Sequence, residues 1–432
     1  MSTTVLQGYD LIDGQGTPQR HNVDIVIEGD TVREIRPSEA ESTGMLVIPG
    51  LINNHTHGTA YGPLFPSGHE GLRGEQVRAN LDRHLVEGTT TVLCVDGFAL
   101  PAEETHPINV KLASCNTPAC LEAATIADGG GLTEANRAFT ARQAIAAGAV
   151  ALGEIGAGHT LGGGGASYMY IPAEIEKRTG VTITPRQANA LKIAVLGRHI
   201  SASAFDRDAV AEALQQAGLV GKLSVEDVRE IVSGIVLPAF DVALRGIAEA
   251  ADLAGRLDVP VLVHNAAASM TQVAAVAATG VRLIAGHSNH SSFDLREALE
   301  HAERLKEMGA IVDVSTLDTF GARRLTTGPE LLFALFEAGL VDTISTDYAG
   351  GHHDPILLAI DRATKAGVVS LPAAIAMATA NVADAIPGLA PRRGRVVPGA
   401  IADLVVTDPG NLDNVRMVMI GGKIVARDGA VV

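Results

Sequence analysis

The stretch VLVHNAAASMTQVAAVAATGVRLIAGH, residues 261–287, holds two short apolar runs, Val261 to His264 and Arg282 to Ala285, around a segment of helical period from Thr271 to Ala278. The runs are too short for helices and nearly all apolar, as strands covered on both faces are, and the helical crossover makes them parallel neighbours. A histidine closes each one. On either side the alternation recurs, with further strand candidates Val47 to Asn53, Thr90 to Val95, Ile108 to Ser114, Val150 to Ile155, Ile311 to Ser315 and Thr343 to Thr346. Helix candidates Gly74 to Glu87, Thr133 to Ala147, Asp241 to Arg256, Phe293 to Met308 and Gly328 to Ala338 lie between them. Eight such strands predict an α/β fold, a closed (β/α)8 TIM barrel, in preference to an open doubly wound sheet.

The ends of the chain have a different texture. Residues 4 to 36 read as short alternating strands with turns at Gly14 to Thr17 and Gly29-Asp30, and ADLVVTD and VRMVMIGGKIVARDG near the C-terminus repeat the pattern around a Gly421-Gly422 hairpin turn. The two ends are expected to form one small β-sandwich module, from residues 1–50 and 389–432, outside a barrel of residues 51–388. The interval 157–239 is too long for one crossover and predicts a helical insertion. Its start, GHTLGGGGASYMY, lacks the Lys-Ser or Lys-Thr of a phosphate-binding loop and reads as a lid.

Composition narrows the partners. With 33 Lys plus Arg against 49 Asp plus Glu the formal charge is −16, and no basic stripe interrupts it, which argues against nucleic acid and for a small-molecule substrate. No long uninterrupted apolar run predicts a membrane span. Cys94, Cys115 and Cys120 are too few to staple a chain of this size and read as reduced thiols. The start, MSTTVLQGYDLIDGQ, lacks a basic-then-apolar leader, so a cytoplasmic location is expected.

The polar residues that end the strands carry the chemistry. Strand one ends INNHTHG with His55 and His57, strand four carries Glu154, strands five and six end on His264 and His287, and strand eight ends TISTDYAGG with Asp347. In a parallel barrel all of these ends share one face. Carboxylates and imidazoles converging there without a cation would carry an unrelieved desolvation cost, so the set predicts a metal site.

In these residues the chain resembles the amidohydrolase superfamily. The likeness rests on VIPGLINNHTHG at residues 47–58, on His264, His287 and Asp347 in strand order, and on GRVVPGAIADLVVTD at 394–408. It implies that His55, His57 and Asp347 bind one divalent ion and His264 and His287 a second, with zinc foremost and iron, manganese or cobalt as alternatives. Many members bridge the ions with a carboxylated lysine on strand four. Here Val150 to Ile155 has no Lys, Glu154 stands at that place, and Lys192 is the second candidate. Aminohydrolases of the superfamily carry a Glu three residues after the strand-five His, where this chain has Ala267. That difference points to the enamidase-like, cyclic-amide branch and away from the alternative, a mononuclear deaminase of a small heterocycle. A non-catalytic scaffold, the alternative of another class, would be expected to have lost ligands.

The activity expected from the resemblance is hydrolysis of a C–N bond in a small cyclic amide of lactam, enamide, hydantoin or dihydropyrimidine type. Metal-bound hydroxide would attack, and Asp347 would act as general base and then general acid. Candidate substrate contacts are His159, Asn265, His290, Arg323 and His352, with Arg324 and His353 as neighbours of the last two. His69, His84, His106 and His301 receive no role. Family habit suggests a homo-oligomer, a dimer or tetramer.

Overall fold

The computed structural model describes residues 2–102, 105–321, 323–326, 328–347 and 353–432. Two eight-stranded sheets organise them. The first is built from both chain ends: β1 (Thr3–Leu11), β2 (Arg20–Glu28), β3 (Thr31–Pro37) and β4 (Leu46–Pro49) join β13 (Leu404–Asp408), β14 (Asn411–Ile420), β15 (Lys423–Arg427) and β16 (Ala430–Val431). All neighbours pair antiparallel except β1 with β4. Leu11, Ile25, Ile27, Val47, Leu404 and Met419, drawn from both halves, share one apolar core.

The second sheet is the parallel barrel: β5 (Leu51–Thr56), β6 (Thr89–Cys94), β7 (Asn109–Ser114), β8 (Ala151–Ile155), β9 (Val261–His264), β10 (Leu283–Gly286), β11 (Ile311–Ser315) and β12 (Thr343–Ser345), in sequence order around the ring. Its inward Ile52, Leu93, Ala113, Ala151, Leu262 and Ile284 pack on Val382, Ile386 and Leu389, which plug the end opposite the site. The ring closes between β12 and β5 largely through side chains. Asn53 Nδ2 donates to Thr346 Oγ1 at 2.8 Å, its Oδ1 accepts the Thr346 N–H at 3.2 Å, and the Asp347 N–H donates to the His55 carbonyl at 3.0 Å. Below them the fully buried Asp313 accepts from Thr343 Oγ1, Ser345 Oγ and Asn54 Nδ2, tying β11, β12 and β5 together.

Three elements differ from expectation. The first predicted strand is two, because Gly50 turns the chain from β4 in one sheet into β5 in the other. The helix predicted over Thr133 to Ala147 is two short ones, Glu134–Ala138 and Ala141–Ala146, since the Thr140 side chain caps the second by accepting the Gln143 N–H. The helix predicted from Asp241 begins at Val225 and runs to Leu257, so no break falls at residue 239 between insertion and barrel. That helix is long and apolar enough to cross a membrane by length and composition. Its Val228, Ile231, Val232, Val236, Ala239, Ala243, Ile247, Ala250 and Ala254 recur at helical spacing and are buried against the protein.

Gly50 sits where a side chain has no room: a Cβ there would meet Thr90 Oγ1 at 2.3 Å and Cγ2 at 2.5 Å. Gly234, exposed in the long helix, has nothing within 4 Å. Gly50→Ala is therefore expected to destabilise the protein by about 1–3 kcal/mol through overpacking. Gly234→Ala should stabilise it by about 0.5–1 kcal/mol through helix propensity. Urea unfolding of both variants checks the opposite signs.

Candidate metal centre

Every candidate ligand sits within two residues of the C-terminal end of its strand, and all but the fully buried His55 line one cavity of about 290 Å³. His264 ends β9, while His287 follows β10 and Asp347 lies two residues beyond β12. His287 and Asp347 both have left-handed backbones, with φ of 58° and 45°, a conformation that costs energy in a non-glycine residue and here turns both side chains inward.

Glu154 is the centre of the arrangement, with its side chain 3% exposed. Its Oε2 lies 3.6 Å from His55 Nε2 and 3.4 Å from His57 Nε2, and the same two nitrogens lie 3.4 and 3.6 Å from Asp347 Oδ1. Its Oε1 lies 2.8 Å from His264 Nδ1 and 2.9 Å from His287 Nε2. One carboxylate thus turns an oxygen to each of two histidine pairs. Ligands at about 2.1 Å from a tetrahedral ion stand about 3.4 Å apart, which is the spacing on the His55/His57 side. The His264/His287 side is at hydrogen-bond spacing.

The residues fit a cation. Both ring nitrogens of His55 are buried and make no hydrogen bond among the described residues, and Nε2 points between two carboxylates. A nitrogen buried in that way costs about 1–3 kcal/mol unless something satisfies it. The carboxylates also draw positive charge toward themselves. Burial opposes ionisation of His57, yet bonds to Asp96 and Glu154 carry its pKa to about 10. Burial likewise opposes His287, and Glu154 and Asp347 raise it to about 9. Glu154 is held well below the usual carboxylate range, chiefly by His55, against its own desolvation.

Asp96, two residues beyond β6, went unrecognised in the sequence. Its Oδ1 receives His57 Nδ1–H at 2.9 Å, which turns Nε2 toward Glu154 and Asp347, and it also accepts the Gly58 and Phe65 N–H groups. The signal was present: an aspartate just past the end of the second barrel strand. Asp313 was missed because it lies inside β11, in a run that reads as core.

The other candidates sort by position. His159 and His290 line the pocket with Phe65, Tyr168, Met169 and Leu325. Asn265 does not; it is buried behind β9, donating to Ser288 Oγ and accepting from His301 Nε2. Arg323 does not line it either, because its left-handed backbone (φ 46°) turns it away and leaves Arg324 at the pocket wall. His352 lies outside the described residues. His353 is buried away from the pocket, stacked on His84 with centroids 4.7 Å apart and bonded to Glu87 Oε2 at 2.6 Å. Those three could group around an ion by distance. The near-parallel rings, inclined by 17°, and the His353–Glu87 bond fit a structural clamp.

Lys192 is buried, its pKa lowered to about 8 by desolvation, and its Nζ donates to the Gly162 and Gly163 carbonyls. It supports the glycine loop that covers the site. The loop comes so close that a Cβ on Gly163 would sit 2.8 Å from His264 Nε2.

No curated protein sequence matches the chain. Among solved structures it is similar to β-aspartyl dipeptidase of Fervidobacterium islandicum AW-1 (13% identity, 99% of this chain and 97% of that one, TM-score 0.53). It is also similar to dihydropyrimidinase of Brevibacillus agri NCHU1002 (14%, 100% and 96%, 0.51). A third likeness is to N-acyl-D-glutamate deacylase of Bordetella bronchiseptica, solved with zinc and a phosphonate inhibitor (17%, 99% and 98%, 0.52). At these identities the likeness is one of fold. The model of the amidohydrolase family matches residues 46–425, which takes in the whole barrel and every candidate ligand, and the chain belongs to that family.

Proposed function

We propose that the protein is a metal-dependent hydrolase that opens the C–N bond of a small cyclic amide. The observation that carries this is the split of Glu154, one oxygen toward His55 and His57 and the other toward His264 and His287, at the floor of a pocket of small-molecule size. His55, His57, Asp347 and Glu154 would hold one divalent ion, and Glu154, His264 and His287 a second, zinc foremost. Such ions lower the pKa of water from 15.7 toward about 7 and polarise a carbonyl.

The side chains do the rest. Asp347 lines the pocket with its Oδ1 3.4 Å from His55 Nε2, placed to take the proton of the attacking water and return it to the leaving nitrogen. Phe65, Met169, Leu317 and Leu325 give the wall an apolar surface that suits a ring and limits bulk water. The likeness to a dihydropyrimidinase, whose name denotes a cyclic substrate, supports this reading. For a deaminase the chain lacks a carboxylate after His264, where Asn265, Ala266 and Ala267 follow. Arg324 is at the pocket wall and makes no ion pair among the described residues, which favours substrates that carry a carboxylate.

Metal-replete protein should open at least one member of a panel of lactams, hydantoins, dihydropyrimidines and partly reduced oxo-pyridines. Silence across the panel with ions bound would sink the proposal. Asp347→Asn is expected to fold normally and lose about 10²–10⁴-fold in kcat, and unchanged turnover would remove its assigned role. Elemental analysis should show much less metal on Glu154→Ala than on Lys192→Met. The reverse order would make Lys192 the bridging residue.

A further inference from the structure

His290 stands three residues beyond His287, with its ring centroid 5.2 Å from that of His264 and 5.5 Å from that of His287, and it lines the pocket. Its two nitrogens are in different situations. Nδ1 lies 3.1 Å from the Ser292 backbone N–H, which can only donate, so Nδ1 is the acceptor and carries no proton. The Ser292 hydroxyl, 2.8 Å away, reinforces this: it already accepts the Ala267 N–H at 3.0 Å, which leaves its own proton for Nδ1. A neutral imidazole with Nδ1 bare has its proton on Nε2. Nε2 makes no hydrogen bond among the described residues, so a single turn of chain fixes one tautomer and leaves its donor unused.

Three neighbours that line the same pocket are engaged. Tyr168 donates its hydroxyl to Asp318 Oδ2 at 3.0 Å, Asn289 exchanges bonds with the Ser315 backbone, and His159 stacks on Phe65 with Nε2 3.1 Å from Met169 Sδ. Building on the hydrolase assignment above, we propose that His290 is a catalytic residue whose Nε2–H donates to the oxygen of the amide carbonyl as it takes on negative charge. The oxygen of water bonds to the carbonyl carbon and the C=O π pair moves onto oxygen. His290 stabilises that oxyanion by a hydrogen bond and keeps its proton. When the carbonyl re-forms, the C–N bond breaks, its electron pair goes to nitrogen, and nitrogen takes the proton held by Asp347. A donor of this kind acts mainly in the transition state, so its removal should lower kcat more than it raises KM.

Three measurements test it. Nitrogen NMR of histidine-labelled protein, assigned with His290→Gln, should find Nδ1 bare and Nε2 protonated; the other tautomer or the doubly protonated ring would overturn the proposal. Titration of metal-loaded protein with methylphosphonate, a tetrahedral oxyanion probe, should show about 10-fold or greater weakening in His290→Leu at equal metal content, with most affinity kept in His290→Gln, whose amide still donates. Equal affinity in the leucine variant, or no binding by the parent protein, would overturn it. On the best panel substrate His290→Leu should lose about 10²-fold in kcat with KM within a few-fold, and a loss confined to KM would count against it. If no cyclic amide is opened while the methylphosphonate difference holds, the hydrolase assignment fails and the oxyanion donor stands.

Discussion

A carboxylate buried at the floor of a barrel has to be met by positive charge, and Glu154 is such a carboxylate. Its ionised form loses hydration that only close counter-charges can replace. Four imidazoles supply the contacts, two to each oxygen, and Asp347 adds a second negative group on the His55/His57 side. Imidazoles alone answer this poorly, because each must itself be protonated inside a buried cluster where its neighbours are protonated too. The direction of the shifts shows the tension: His57 and His287 are drawn up while His264, beside His287, is held down. Divalent cations would resolve it, since the imidazoles could then stay neutral and turn lone pairs toward the ion.

The barrel is built to hold that geometry rigid. Closure at the β5–β12 seam does not rely on an extended ladder of the kind that joins the other strands. Asn53 spans it, Asp313 gathers hydroxyls and an amide beneath it, and the Asp347 N–H reaches the His55 carbonyl directly. Two residues that would share one ion are therefore joined by a backbone hydrogen bond as well. Asp96 does the corresponding work for His57, and the two backbone bonds it accepts fix the carboxylate that fixes the ring. Displacing any of these groups by a fraction of an ångström would be felt at the ligand atoms, because the cluster has no slack of its own.

Much of this was legible in the chain. Strands buried on both faces announce themselves as short, nearly all apolar runs, and in a parallel barrel the polar residues at their ends share one face; His55, His57, Glu154, His264, His287 and Asp347 were proposed as ligands on that ground, and the structure brings them together. Boundaries were less legible where one residue reverses the meaning of its neighbours. Gly50 separates two strands that read as one because Val47 to Ile52 carries no polar side chain, and only the close approach of Thr90 shows why glycine stands there. Thr140 ends a helical period from within by capping the next helix. Side-chain direction was the least legible feature. Arg323 and Arg324 are equivalent in sequence, and a left-handed backbone at the first decides between them. Asn265, next to a ligand on a strand, must point to the other face of the sheet, a consequence of strand periodicity that proximity to His264 obscured.

The division between ligands and loops bears on how substrate choice is separated from the chemistry. The candidate ligands stand at the ends of strands whose positions are set by the whole ring, whereas the pocket wall comes from the glycine loop, Tyr168 and Met169 of the insertion, and the segment around Arg324. The glycine loop belongs to both parts. Gly163 lies against the back of His264, where any side chain would push the ring toward Glu154, and Lys192 holds the loop down from behind through two backbone carbonyls. A buried ammonium bound to carbonyl oxygens is costly to place, and a shorter neutral side chain could not reach both. Its presence is explained if the loop must stay pressed on His264. The long helix Val225–Leu257 supplies the rigid return from that insertion to the barrel, so changes in the wall need not propagate to β9 and the histidine that ends it.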